Sequence, residues 1–241
     1  MPAYRSILFG RRAAIGALAA GALTLIGAAA PAKPAAPRWS ANVATTDIGS
    51  FSIGNPKAKV RLIEYFSYTC SHCADFARLG SVPLKTLYVD KGLVVFEYRN
   101  LVRDPVDMTA ALLARCGGGK AFAGNHQAIF AAQKVWLAKV QKASEAEMKS
   151  WYQGDLGARA KKIAAFTGLD ALMRARGYTA AQLDRCMNDG VAQAELEGMT
   201  NIAFNGDRVR GTPTFFINGR EAGTTTWPAL KTPLDAALKG S

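Results

Sequence analysis

The chain is 241 residues long, 49% hydrophobic and 20% charged, with a formal net charge of +12 at pH 7. That is enough polypeptide for one ordinary domain or two small ones with a core of their own, and the balance excludes an intrinsically disordered chain. The lysines and arginines are dispersed with no dense run, which argues against a nucleic-acid partner despite the positive charge.

Residues 1–32 read as an export signal. Arg5, Arg11 and Arg12 precede the uncharged "AAIGALAAGALTLIGAAA", which ends in small residues. The run is also long enough for an uncleaved membrane anchor, although Ala and Gly dominate it and favour the cleaved signal. Arg11-Arg12 suggests the twin-arginine route. Cleavage would remove three positive charges and leave the mature chain at +9. Residues 33–50, rich in Pro, Ala, Ser and Thr, read as a loose linker.

Folded structure is expected from residue 51. Gly54-Asn55-Pro56 marks a turn before a mostly buried strand over residues 59–66, carried by Val60, Leu62 and the aromatics after them. A helix starts at the cysteine pair and runs through "ADFARLGSVPLKTLYV" with a bend at Pro83. "GLVVFEYRNL" is a second strand. Strand, helix and strand make a right-handed parallel βαβ unit over 51–105, with the cysteines at the strand's carboxyl end, where open α/β sheets hold their chemistry. Residues 106–203 are helical in texture. "DMTAALLARCGG" stops at three glycines, "KAFAGNHQAIFAAQKVWL" spaces Phe122, His126, Ile129, Phe130, Gln133 and Leu137 along one face, and "LGARAKKIAAFTG" is a short helix. Thr179 and Gln182 form a capping box that opens "AAQLDRCMNDGVAQAELEGMTNIAF". Strand character returns in 204–241, where "PTFFINGREA" carries Asn218-Gly219 as a type I′ hairpin turn. A last helix follows from about Thr226 or Trp227; Pro228 suits its first turn, whereas Pro233 should start or kink it. The order βαβ, helices, ββα describes an α/β sheet domain with a helical insertion.

"YFSYTCSHCADF" holds the chemistry. Cys70 and Cys73 stand one helical turn apart, and three readings compete. A structural zinc site needs four ligands, but there is one close cysteine pair and only two histidines in the chain. Inert core cysteines have no reason to take this spacing at a strand-to-helix junction. The redox reading fits best, because thiols at i and i+3 can be bridged across a first helical turn. The orphan amides and positive dipole end there favour an anion at Cys70, and a protonated His72 would add positive charge. Cys73 is then the resolving thiol, deeper than an exposed Cys70. A sulfur titrating about three units below neutrality would stabilise the reduced form by about 4 kcal/mol, roughly 90 mV. No bound cofactor or metal is required, since the Cys70–Cys73 disulfide is itself the oxidant. Cys116 and Cys186 are a candidate structural disulfide closing a loop of about 70 residues, which loop entropy values at roughly 4 kcal/mol. Glu64, an acid inside an apolar strand, either faces solvent or is functional.

"LIEYFSYTCSHC", followed much later by "GTPTFFINGR", resembles the DsbA-like branch of the thioredoxin superfamily, the bacterial periplasmic thiol:disulfide oxidoreductases, over about residues 50–240. The resemblance implies a thioredoxin-like α/β fold with a helical domain inserted between its βαβ and ββα halves. The halves would be 51–105 and 204–241, around an insertion over 106–203. It further implies a cis proline at Pro213, and a Thr212 backbone that faces the two sulfurs and pairs with extended substrate. Glu64 would be a buried acid helping Cys73 gain and lose its proton, and His126 a histidine of the insertion in a packing or capping role. Pro213 as a plain strand-start residue is the structural alternative. Phe66, Tyr68, Phe76 and Trp136 read either as a hydrophobic rim or as core.

The implied protein is a monomeric periplasmic oxidase that donates the Cys70–Cys73 disulfide to reduced or unfolded exported proteins and is reoxidised by a membrane partner of the DsbB type. Two alternatives stand beside it. One is a disulfide isomerase or reductase whose pair is kept reduced. The other is a periplasmic chaperone-like binding protein whose cysteines are incidental.

Overall fold

A computed structural model describes residues 38–240. The export signal expected over 1–32 and the first residues of the linker lie outside them. Among the described residues no helix is long and apolar enough to cross a membrane.

The described residues form six strands: β1 (Val43–Thr45), β2 (Phe51–Gly54), β3 (Val60–Phe66), β4 (Val94–Asn100), β5 (Thr214–Ile217) and β6 (Arg220–Glu221). Their order in the sheet is β1-β2-β4-β3-β5-β6. β3 and β4 form the parallel centre, with Val60 opposite Val94 and Phe66 opposite Asn100. Six of the seven β3 residues are buried, as a strand covered on both faces requires. Strand alternation sends Leu62, Glu64 and Phe66 to one face and Ile63 and Tyr65 to the other. The first face carries the main core, and the second a smaller cluster with Leu101, Ala203, Val209 and Phe216. β5 runs antiparallel beside β3 and turns into β6 at Asn218 and Gly219, whose φ values of 48° and 80° are those of a type I′ turn.

The sheet is larger than the sequence reading allows. Val43–Thr45 lies inside the stretch read as linker, yet it pairs with β2, and β2 joins β4 with Phe51 opposite Tyr98. Ser50 and Ser52, which hide this hairpin in the sequence, are buried, and the Ser50 hydroxyl donates to the buried Glu97 carboxylate at 2.7 Å.

β3 leads into α1 (Ser71–Leu79), and the helical path breaks at Gly80 rather than at Pro83. Pro83 sits in the first turn of α2 (Ser81–Leu84), where its missing N–H costs nothing. Between β4 and β5 lies the block of inserted helices. Its axis is α3 (Pro105–Arg115), capped by Asp104 and buried at every residue from Val106 to Ala114. α4 (Gly118–Ala131) and α7 (Leu156–Thr167) pack against it. The amphipathic run expected as one helix divides at Ala132 into α4 and α5 (Gln133–Val140). The short helices α6 (Glu145–Ser150) and α8 (Leu169–Ala175) complete the middle of the block. The capping-box helix also divides, into α9 (Ala180–Met187) and α10 (Gly190–Asn201), because Asp189 recaps the chain by accepting from the Val191 and Ala192 amides. A disulfide ties Cys116, at the end of α3, to Cys186 in α9. The last helix, α11 (Trp227–Lys239), runs through Pro233 without stopping, since Leu230 and Leu234 on either side of it are fully buried. That burial is worth about 3 to 6 kcal/mol, enough to offset the roughly 3 kcal/mol of an internal proline.

Candidate active site

The turn Ser67–Cys70 links the carboxyl end of β3 to α1, and Cys70 is the N-cap residue of that helix, with extended backbone at φ −91° and ψ 121°. Cys73 lies one turn inside. Both are free thiols, with Cys73 fully buried and Cys70 only 6% exposed. The sequence reading places Cys70 in the open. Instead the segment before β5 folds over it: the peptide bond between Thr212 and Pro213 is cis, Pro213 is buried, and the Cys70 thiol donates to the Thr212 carbonyl at 3.1 Å.

The two sulfurs differ sharply in proton affinity. Hydrogen bonding from the Cys73 thiol is the largest influence on Cys70, opposed by burial. With further support from the Thr212 side chain and the backbone amides of Cys73 and His72, it brings the Cys70 pKa down to about 5. Burial pushes the Cys73 thiol well up, and its hydrogen bond to Cys70 and the nearby charges of Glu64 and Cys70 push the same way. A thiolate outside and a protonated thiol inside is the division that thiol–disulfide exchange uses. His72 is exposed, and what it supplies to the Cys70 sulfur is its backbone amide rather than a ring charge.

Glu64 does not face solvent. It is 2% exposed on β3, beside the cysteine pair, and burial followed by the Cys70 charge raises its carboxyl well above the ordinary range. The structure therefore brings together Cys70, Cys73, Thr212, Pro213 and Glu64, with His72 contributing only its main chain. His126 is nearly as buried as Glu64 but belongs to the aromatic core. It accepts from or donates to the Tyr68 hydroxyl at 3.0 Å, with Phe66, Tyr98, Phe122 and Phe130 around it. Burial lowers its pKa to about 3. Phe66, Tyr68, Phe76 and Trp136 are all buried, so they are core and not a rim.

Three residues that hold the active-site turn were not among the sequence candidates. Asp107, buried in the first turns of α3, accepts from the Ser67 hydroxyl at 2.6 Å, the Tyr68 amide at 2.8 Å and the Arg103 amide at 3.1 Å. Burial is the main reason its pKa rises to about 7. The Arg103 guanidinium donates to Ser67 Oγ at 3.0 Å and Thr69 Oγ1 at 2.8 Å. Gln133, at the start of α5, donates to the carbonyls of Tyr68 and Cys70 at 2.7 and 2.8 Å. Polar side chains on otherwise apolar helix faces are the only sequence signal for Asp107 and Gln133. Among the described residues no group of three or more His, Cys, Asp or Glu side chains could hold a metal ion.

Residues 46–236 match the thioredoxin family described as "Thioredoxin". The chain belongs to the thioredoxin family. Extra helices are inserted in the thioredoxin-like sheet between β4 and β5. The solved structure of a protein-disulfide isomerase from Novosphingobium aromaticivorans is 37% identical and superposes with a TM-score of 0.74, covering 78% of this chain and 96% of that one. Alpha-DsbA1 of Wolbachia pipientis shares the fold at 21% identity, with a TM-score of 0.64 over 79% of this chain and 92% of that one. A relative from Rickettsia felis, named "Putative protein-disulfide oxidoreductase", is 29% identical over 194 residues, which are 80% of this chain. The match spans 62% of that relative's length.

Proposed function

We propose that this thioredoxin-family chain is a protein thiol:disulfide oxidase acting in the periplasm. The observation that carries the reading is the placement of Cys70 at the N-cap of α1, with Cys73 buried one turn behind it and the Thr212 carbonyl in contact. With the pair oxidised, a substrate thiolate attacks Cys70 Sγ, forming a mixed disulfide and expelling Cys73 as a thiolate. Glu64 protonates Cys73, directly or through water. A second substrate thiolate then attacks the substrate sulfur of the mixed disulfide, and Cys70 leaves as a stable thiolate. The substrate loses two electrons and gains a disulfide, and the Cys70–Cys73 pair gains them, so the pair is the only cofactor needed. Thr212 pairs its backbone with the extended substrate segment, which gives affinity with little side-chain preference.

The substrates in this reading are reduced or unfolded exported proteins, the protein works as a monomer, and a membrane reoxidase of the DsbB type restores the disulfide. The name of the Novosphingobium protein supports a second reading, disulfide isomerisation. Oxidised protein mixed with a reduced, unfolded ribonuclease tests the first: the ribonuclease should lose two free thiols for each Cys70–Cys73 disulfide that is reduced, total thiols staying constant, and none with Cys70→Ser. No loss of substrate thiols beyond a glutathione control would refute it. A redox titration against glutathione separates the two directions, since a pair that stays oxidised only under strongly oxidising buffer is an oxidant, and one oxidised readily is not.

A further inference from the structure

The peptide of Tyr68, two residues before the sulfur, is gripped at both ends by side chains of the helical block. Its N–H donates to Asp107 Oδ1, and its carbonyl accepts from Gln133 Nε2. The same Gln133 amide nitrogen donates to the carbonyl of Cys70, which also accepts the Ala74 amide at 3.2 Å as the first hydrogen bond of α1. Two carbonyl partners leave no freedom in which end of the Gln133 side chain faces the turn, because only its NH2 can donate to both. Gln133 is 2% exposed, so both contacts are made away from solvent.

The geometry has a consequence for the nucleophile. Whether Cys70 Sγ lies over the amides of His72 and Cys73 depends on the rotation of the peptides on each side of its Cα. The carbonyl of Cys70 reports one of those rotations, and Gln133 holds that carbonyl. We propose that Gln133 is a positioning residue for the Cys70 sulfur, acting with Asp107 across the Tyr68 peptide, so that the helical block sets the geometry of the nucleophile. This rests on the reading of Cys70 as the exchanging thiol. Without the Gln133 amide the Cys70 peptide gains rotational freedom, the sulfur spends less time over the helix amides, and the thiolate is held less well.

The test is an acid titration of the reduced, full-length protein followed by ultraviolet thiolate absorbance, for the wild type, Gln133→Leu and Gln133→Met. The Met variant keeps the length and volume of the side chain without its donor and adds no charge, so it guards against a Leu variant that fails to fold. Both variants should raise the Cys70 midpoint by about one unit, a tenfold change in proton affinity, and slow the second-order reaction with a model disulfide at a pH between the two midpoints. A Gln133 with a packing role alone would lower the melting temperature and leave the midpoint in place, which would overturn the proposal. A wild type without a depressed midpoint would overturn the proposal and the oxidase reading together, whereas a depressed wild-type midpoint matched by both variants would overturn the proposal alone.

Discussion

Cys70 and Cys73 are the same chemical group three residues apart, and the fold separates them by position along one helix. The outer sulfur meets orphan amides and the inner one meets the core. At pH 7 a midpoint of about 5 at Cys70 favours the reduced folded state by about 2 to 3 kcal/mol, or roughly 40 to 60 mV. This is less than the sequence alone suggests. Because the folded pKa is depressed, the contribution is complete above the unfolded value and disappears as pH falls through about 5. Glu64→Gln removes the buried acid beside Cys73 while keeping its shape. Resolution of the mixed disulfide, followed by stopped-flow thiol release, should slow by roughly tenfold to a hundredfold, with the attack on Cys70 little changed; equal rates would remove Glu64 from the proton path. His126 makes a separate prediction. Its folded pKa of about 3 lies below the unfolded value of about 6.5, so the unfolded chain takes the proton first and stability falls as pH drops between the two. By pH 5 the loss from this group is roughly 2 kcal/mol, and denaturant unfolding of His126→Gln should show a correspondingly shallower acid limb. The cysteines and the question posed by Glu64 were legible in sequence because their types and spacing are local. Asp107 and Gln133 were not, because each acts on a turn 39 to 65 residues away in the chain.

Elements were read well where one periodicity dominates and poorly where caps or buried polar groups compete with it. β3, expected over 59–66, forms over Val60–Phe66, and the capping box at Thr179 is present. The β1–β2 hairpin escaped because the buried Ser50 and Ser52 interrupt its apolar pattern, Ser50 donating to Glu97. The helix breaks at Ala132 and Asp189 escaped because the hydrophobic stripe continues across them. Gly54 shows how tightly the missed hairpin is fitted. Its φ is 121°, and a Cβ there would come within 2.7 Å of the Val94 carbonyl, a backbone atom that cannot swing aside. Gly54→Ala should therefore cost on the order of 2 kcal/mol in urea unfolding while leaving the Cys70 titration in place. A neutral or stabilising effect would show that β2 is not held against β4 as described.

At the scale of the molecule, the inserted helices and the sheet share one main core, and the Cys116–Cys186 disulfide closes a loop of 70 residues within the helical block. Replacing both cysteines by alanine should lower the melting temperature by roughly 10 °C through the loop entropy returned to the unfolded chain, with the cysteine pair at the active site still titrating low. The βαβ and ββα halves and the long helical interruption were legible because each is a long stretch of one texture. How the helical block reaches back to the active-site turn was not, because it depends on side chains that meet only after the two parts pack. The account rests on Cys70 being an anion at neutral pH, and the most direct test is the ultraviolet thiolate signal of the reduced wild-type protein followed through an acid titration. The structure predicts a midpoint near 5. A single midpoint close to the ordinary thiol value of about 8.5 would contradict it.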